Sequence, residues 1–161
     1  MISLQVGNDI VKSVFANLRE TGRTFASAES CTGGNIAHLI TMIPGSSWVF
    51  RGGAVTYATE TKTDVIGVPA EIINRYGVVS SQVAEKMAEG VRSVMKSDFG
   101  VATTGVAGPD GGTAETPVGT IWIAVATPEK TLSQCLHLSN DRLENIEQAS
   151  YEVYRMLLHL L

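Results

Sequence analysis

A three-layer α/β/α sandwich, with a mixed sheet of about five strands, is predicted by two features of this sequence. Helical and extended patterns alternate from Asn8 to Thr103, and two β-rich runs separated by Pro128-Glu129-Lys130 follow them. The alternation predicts parallel strands linked through helices, and the late pair predicts an antiparallel hairpin. No internal repeat, low-complexity stretch or linker divides the chain, so residues 1–161 read as one domain.

Between Asn8 and Glu20, Val11, Val14, Phe15 and Leu18 recur at helical spacing, and Thr21-Gly22 ends that helix. Residues 24–29 read as a short buried strand and 33–42 as a second helix, stopped before Pro44. Gly52 to Tyr57 reads as a strand whose glycines permit close backbone approach. Thr59 to Val65 and Glu71 to Tyr76 read as short helices on either side of a turn at Gly67-Val68-Pro69. Ser80 or Ser81 caps a long helix with a stripe of Val83, Ala84, Met87, Val91, Val94 and Met95. Phe99 to Thr103 is then a central strand, and Thr104 to Gly112 a glycine-rich loop. The hairpin strands are Gly119 to Thr127 and Thr131 to Leu138. Asp141-Arg142-Leu143-Glu144 has capping spacing for a final helix with an apolar face of Ile146, Ala149, Val153, Met156, Leu157 and Leu160.

Composition narrows the function. A charge of −4 and the lack of a Lys/Arg cluster give no electrostatic footprint for nucleic acid. No apolar run has the length of about 20 residues that spans a bilayer, and the N-terminus lacks a signal-peptide pattern, so a cytoplasmic protein off the membrane is expected. Cys31 and Cys135 are too few for a disulfide framework or a cysteine metal site, so free thiols are expected. No ligand-spaced metal cluster or cofactor motif is found, and neither a metal nor a cofactor is expected.

Chemistry concentrates in Ala28-Glu29-Ser30-Cys31-Thr32-Gly33-Gly34. A hydroxyl between a strand end and a helix start sits beside unsatisfied backbone N–H groups, a place suited to a nucleophile or a phosphate. The same residues also make an ordinary N-cap and turn. A serine nucleophile needs a base. His38, His137 and His159 lie on a helix, within a strand and near the C-terminus, and read as ordinary surface or packed residues. Lys62, five residues after Tyr57, can share a strand-end cleft with it, and serves as a base if burial lowers its pKa. Otherwise it is a solvated helix lysine. Thr104-Gly105-Val106-Ala107-Gly108-Pro109-Asp110-Gly111-Gly112 lacks the P-loop and dinucleotide fingerprints, leaving an oxyanion or substrate loop, or a plain flexible one. Arg142, at a helix start, belongs either to an anion site or to a surface pair with Asp141 or Glu144.

These motifs, with Pro44-Gly45-Ser46-Ser47, Gly52-Gly53 and Pro117-Val118-Gly119, resemble the CinA C-terminal domain family over roughly residues 8 to 160. That family includes the PncC-type nicotinamide-nucleotide amidases. The resemblance implies an amidohydrolase that converts nicotinamide mononucleotide to nicotinate mononucleotide and ammonia in pyridine nucleotide recycling, without a metal. It implies Ser30 as nucleophile, Lys62 as general base and Tyr57 as hydrogen-bonding or proton-relay partner. Thr32, Gly33, Thr104, Gly105 and Arg142 are then expected to bind substrate, with oxyanion donors beside Gly33 or Gly105. A homo-oligomer is also implied, with the apolar C-terminal helix as its interface. Two departures set this chain apart: Thr59 where many relatives have Asn, and Ile146 where many have a second Arg. The alternative they raise is a weakly active or inactive paralogue that binds a pyridine nucleotide or a related amide.

Overall fold

The computed structural model describes residues 1–161. In chain order the elements are α1 (Leu4–Thr21), β1 (Phe25–Glu29), α2 (Asn35–Thr41), a 3-10 turn (Ser46–Trp48), β2 (Phe50–Val55), α3 (Thr59–Ile66), α4 (Ala70–Tyr76), α5 (Ser81–Met95), β3 (Phe99–Gly105), β4 (Thr120–Ala126), β5 (Thr131–His137) and α6 (Arg142–Leu160). The five strands form one mixed sheet in the order β2-β1-β3-β4-β5. β1 is parallel to both β2 and β3, while β4 is antiparallel to β3 and to β5. The predicted sandwich and late hairpin are both present.

Alternating side chains divide the sheet into two unlike faces. Phe25, Phe99, Val101, Ile121, Ile123 and Val125 point into one core with the apolar stripes of α1, α2 and α6. Ala26, Ala28, Ala102, Ala124 and Ala126 line the other, where α5 lies close on the sheet. Small residues allow that approach, and Gly100 requires it: a Cβ there would sit 2.0 Å from the Ala88 carbonyl oxygen of α5.

Caps explain most of the boundaries. Ser3 Oγ accepts from the Val6 N–H, so α1 begins before the apolar stripe that predicts it. Ser80, not Ser81, caps α5 by accepting from Val83 N–H. Asp141 caps α6 through the Glu144 N–H. Gly33 and Gly34 both adopt positive φ, which delays α2 to Asn35. β2 starts and stops two residues earlier than expected, leaving Tyr57 in the loop before α3.

Strand direction places the site. β1, β2, β3 and β5 all run the same way, so their C-terminal ends meet at one edge of the sheet. The chain leaves β1 toward β2 on one side, and its other neighbour β3 comes later, which opens a crevice at the strand ends where the order reverses. The apolar face of α6 is spent inside the chain: Ala149, Val153 and Leu157 are buried in the core. Ile146, Met156 and Leu160, the rest of the face expected to carry self-association, are partly buried against the same core. No helix is long and apolar enough to cross a membrane.

Candidate active site

A cleft of about 330 Å³ opens at that edge, lined among others by Ser30, Cys31, Tyr57, Lys62, Gly105 and Arg142. Ser30 follows the last residue of β1, and its N–H donates to Thr103 O of β3, so the turn begins while still tied to the sheet. Lys62 comes from α3, is only 2% exposed, and brings Nζ to 3.1 Å from Ser30 Oγ. The same Nζ donates to Thr56 O at 2.6 Å. Burial holds the lysine below its ordinary pKa, against smaller opposing effects of Cys31 and Glu60. A neutral Lys62 keeps a proton for the Thr56 carbonyl and a lone pair for the Ser30 hydroxyl.

Two nucleophile types stand side by side here, and burial separates them. The Cys31 thiol is pushed up to about 12, chiefly by desolvation, so it stays protonated and unreactive. Of the two side chains, Ser30 is the one half-buried at the cleft floor with the Lys62 amine within hydrogen-bond reach.

The N–H groups of the turn follow a plan the sequence does not spell out. Gly33 N–H is taken by Ser30 O, and Asn35 N–H by Thr32 O. Gly34, Ile36 and Ala37 N–H all donate to the carboxylate of Glu29, a residue 1% exposed. Cys31 N–H meets no acceptor beyond its own sulfur, and Thr32 N–H meets none. After β3, Val106 N–H donates to Thr120 O and Val106 O accepts from Gly119 N–H, so the Gly105 N–H is turned away from β4, toward the end of β1. Cys31 and Gly105 both line the cleft with these N–H groups unclaimed, whereas the N–H of Gly33, one of the two glycines beside which a donor was expected, is already engaged.

Of the eight residues expected in the site, Ser30, Lys62, Tyr57, Thr104, Gly105 and Arg142 meet in the cleft, while Thr32 and Gly33 do not line it. The Thr32 hydroxyl points into the protein, donating to Glu29 at 2.7 Å and so accepting from Thr103 Oγ1. Gly33 is exposed and turns the chain at positive φ. The anion seat at the start of α2 is occupied by Glu29, which removes it as a phosphate site. Thr104 lines the cleft but spends its hydroxyl on Val78 O. Tyr57 makes no bond to Ser30 or Lys62; its hydroxyl accepts from Arg142 at 2.9 Å. Arg142 also donates to Gly108 O at 2.7 Å, so it bridges two walls of the cleft instead of pairing with Asp141 or Glu144. His38, His137 and His159 are exposed and lie outside it.

Sequence reasoning missed two residues that hold these walls. Glu29 is one. The other is Asn145, fully buried, whose amide donates to Ala107 O and Ser139 O and accepts from Ser139 N–H, joining the glycine-rich loop to α6. A polar side chain interrupting an apolar stripe was the only signal for either.

The family model for the CinA C-terminal domain matches residues 7–161. The chain belongs to the CinA C-terminal domain family. A CinA-like protein of Cytophaga hutchinsonii is 44% identical over 140 residues, covering 87% of this chain and 34% of that protein. Another, from Shewanella amazonensis, is 41% identical over 165 residues, 97% of this chain and 39% of that protein. This CinA-family chain therefore spans little more than a third of the length of those curated relatives. The crystal structure of competence/damage inducible protein CihA from Agrobacterium tumefaciens superposes with a TM-score of 0.93 at 35% identity, covering 96% of this chain and 94% of that one. A CinA superfamily protein from Escherichia coli superposes at 0.91 with 28% identity, covering 100% and 94%.

Proposed function

We propose that this CinA-family chain is a serine-lysine amidohydrolase that converts nicotinamide mononucleotide to nicotinate mononucleotide and ammonia. The observation that carries the reading is the buried Lys62 Nζ, held 3.1 Å from Ser30 Oγ at the floor of an open cleft. Neutral Lys62 takes the Ser30 proton as Oγ attacks the carboxamide carbon. The oxyanion forms against the N–H groups of Cys31 and Gly105, which replace water with fixed dipoles. Lysine then returns the proton to the departing ammonia, and a water, deprotonated by the same Nζ, hydrolyses the nicotinoyl ester of Ser30. The pyridinium charge of the substrate makes its carboxamide more electrophilic, and Arg142 is the one cation at the rim of the cleft suited to its 5′-phosphate.

The test is ammonia release from nicotinamide mononucleotide, NAD and nicotinamide riboside by wild type and Ser30→Ala. Release from the mononucleotide that disappears in Ser30→Ala is the expected result, and release that persists in the variant rules Ser30 out as the nucleophile.

A second reading, nucleotide binding without turnover, draws on Ile146. This side chain packs against the core one helical turn after Arg142 and leaves that guanidinium without a second cation. Calorimetric binding of the mononucleotide with no ammonia release selects it.

A further inference from the structure

The serine-lysine reading assigns no role to Glu29, a carboxylate buried beside the nucleophile. Burying it is costly unless donors surround it. Five do: the N–H groups of Gly34, Ile36 and Ala37, and the hydroxyls of Thr32 and Ser27. Space for the last of these comes from Gly53 on β2, where a Cβ would sit 2.6 Å from Ser27 Oγ. The main chain of the same residue reaches the base: Glu29 O accepts from Thr56 N–H at 2.9 Å, and Thr56 O accepts from Lys62 Nζ at 2.6 Å.

We propose that Glu29 is a positioning residue for the Ser30 reaction. Its carboxylate fixes the turn at residues 30–34 by satisfying the N–H groups at the start of α2, and its carbonyl fixes the strand end that anchors Lys62. The geometry also accounts for which donors remain. With Gly33, Gly34, Asn35, Ile36 and Ala37 N–H all engaged, Cys31 and Thr32 are the residues of the turn whose N–H groups no other residue takes, and of these Cys31, next to the nucleophile, lines the cleft. An internal carboxylate keeps solvent anions and the substrate phosphate from that seat, so the nucleotide is gripped only at the Arg142 side. This inference rests on the serine-lysine reading of the site, and its test does not depend on the identity of the amide.

The probe is a fluorophosphonate, which forms a Ser30 phosphonyl ester with loss of fluoride and needs the same base and oxyanion donors as acylation. Glu29→Gln keeps the shape but sets an NH₂ against backbone N–H groups. Labelling of Ser30 should slow on the order of 10²-fold, the scale for displacing an oxyanion donor. Affinity for nicotinate mononucleotide, measured by calorimetry, should change by less than about 3-fold, because the Arg142 side is untouched. A purely structural role would lower both together. Labelling of Glu29→Gln at the wild-type rate overturns the proposal. If Glu29→Gln does not fold, Thr32→Val and Thr32→Ser replace it: the first removes a donor to Glu29 and should slow labelling roughly 10-fold, and the second restores it. Equal rates in that pair overturn the proposal as well. A wild type that labels at Ser30 but releases no ammonia from the mononucleotide defeats the amidase reading alone, and one that cannot be labelled defeats both.

Discussion

At the floor of the cleft, Lys62 is 2% exposed and lies 3.1 Å from Ser30 Oγ, whereas at the rim Arg142 meets Tyr57 at 2.9 Å with the tyrosine 58% exposed. The two contacts have similar lengths but different physics. Burial at the floor disfavours the charged lysine, as the proposed base requires. Exposure at the rim leaves the guanidinium charged and screened, fit to attract and orient an anion without much altering a reacting group. Changes at the floor should therefore appear in kcat and changes at the rim in KM.

Lys62→Met removes the base and should have the largest effect, lowering kcat for ammonia release by on the order of 10²-fold or more, with KM nearly unchanged. A comparable fall in both constants would erase the division between floor and rim. Arg142→Met should raise KM for the mononucleotide by roughly 10- to 100-fold, the value of a charge-assisted bond, while leaving turnover of nicotinamide riboside little changed. Loss of kcat for the riboside would place Arg142 among the floor residues.

Tyr57→Phe removes only a neutral acceptor for Arg142 and should raise KM by about 2- to 10-fold. A fall in kcat near that of Lys62→Met would instead restore the proton-relay role that the resemblance implies. The smallest expected effect is a displacement in pH. Lys62 must be neutral to act, so kcat/KM should rise with pH through its folded pKa, which lies below 10.5. Glu60 favours the charged form of Lys62, so Glu60→Gln should move that rising limb to lower pH; a shift upward would contradict the assignment of the limb to Lys62.

Side-chain periodicity carried the architecture well. Valine and leucine stripes marked α1, α5 and α6, and the Pro128-Glu129-Lys130 break marked the hairpin, because helix and strand periods are local properties. Boundaries shifted where a cap or a positive φ decided them, as at Ser3 and Gly34. Within the site, Ser30 and Lys62 were readable as types in suggestive places. Thr32 was misread, because its hydroxyl serves a buried carboxylate and not the cleft.

Sequence by itself determined the alternation of helix and strand, the late hairpin, and membership of the CinA C-terminal domain family. Tertiary structure alone decided the pKa shifts and partners of the site. That Lys62 is buried, that Cys31 is inert beside Ser30, that Glu29 fills the start of α2 and that Arg142 crosses to Tyr57 all depend on groups brought together from distant parts of the chain. Desolvation and hydrogen-bond satisfaction are properties of an environment, and the environment exists only once four strands end at the same edge of the sheet.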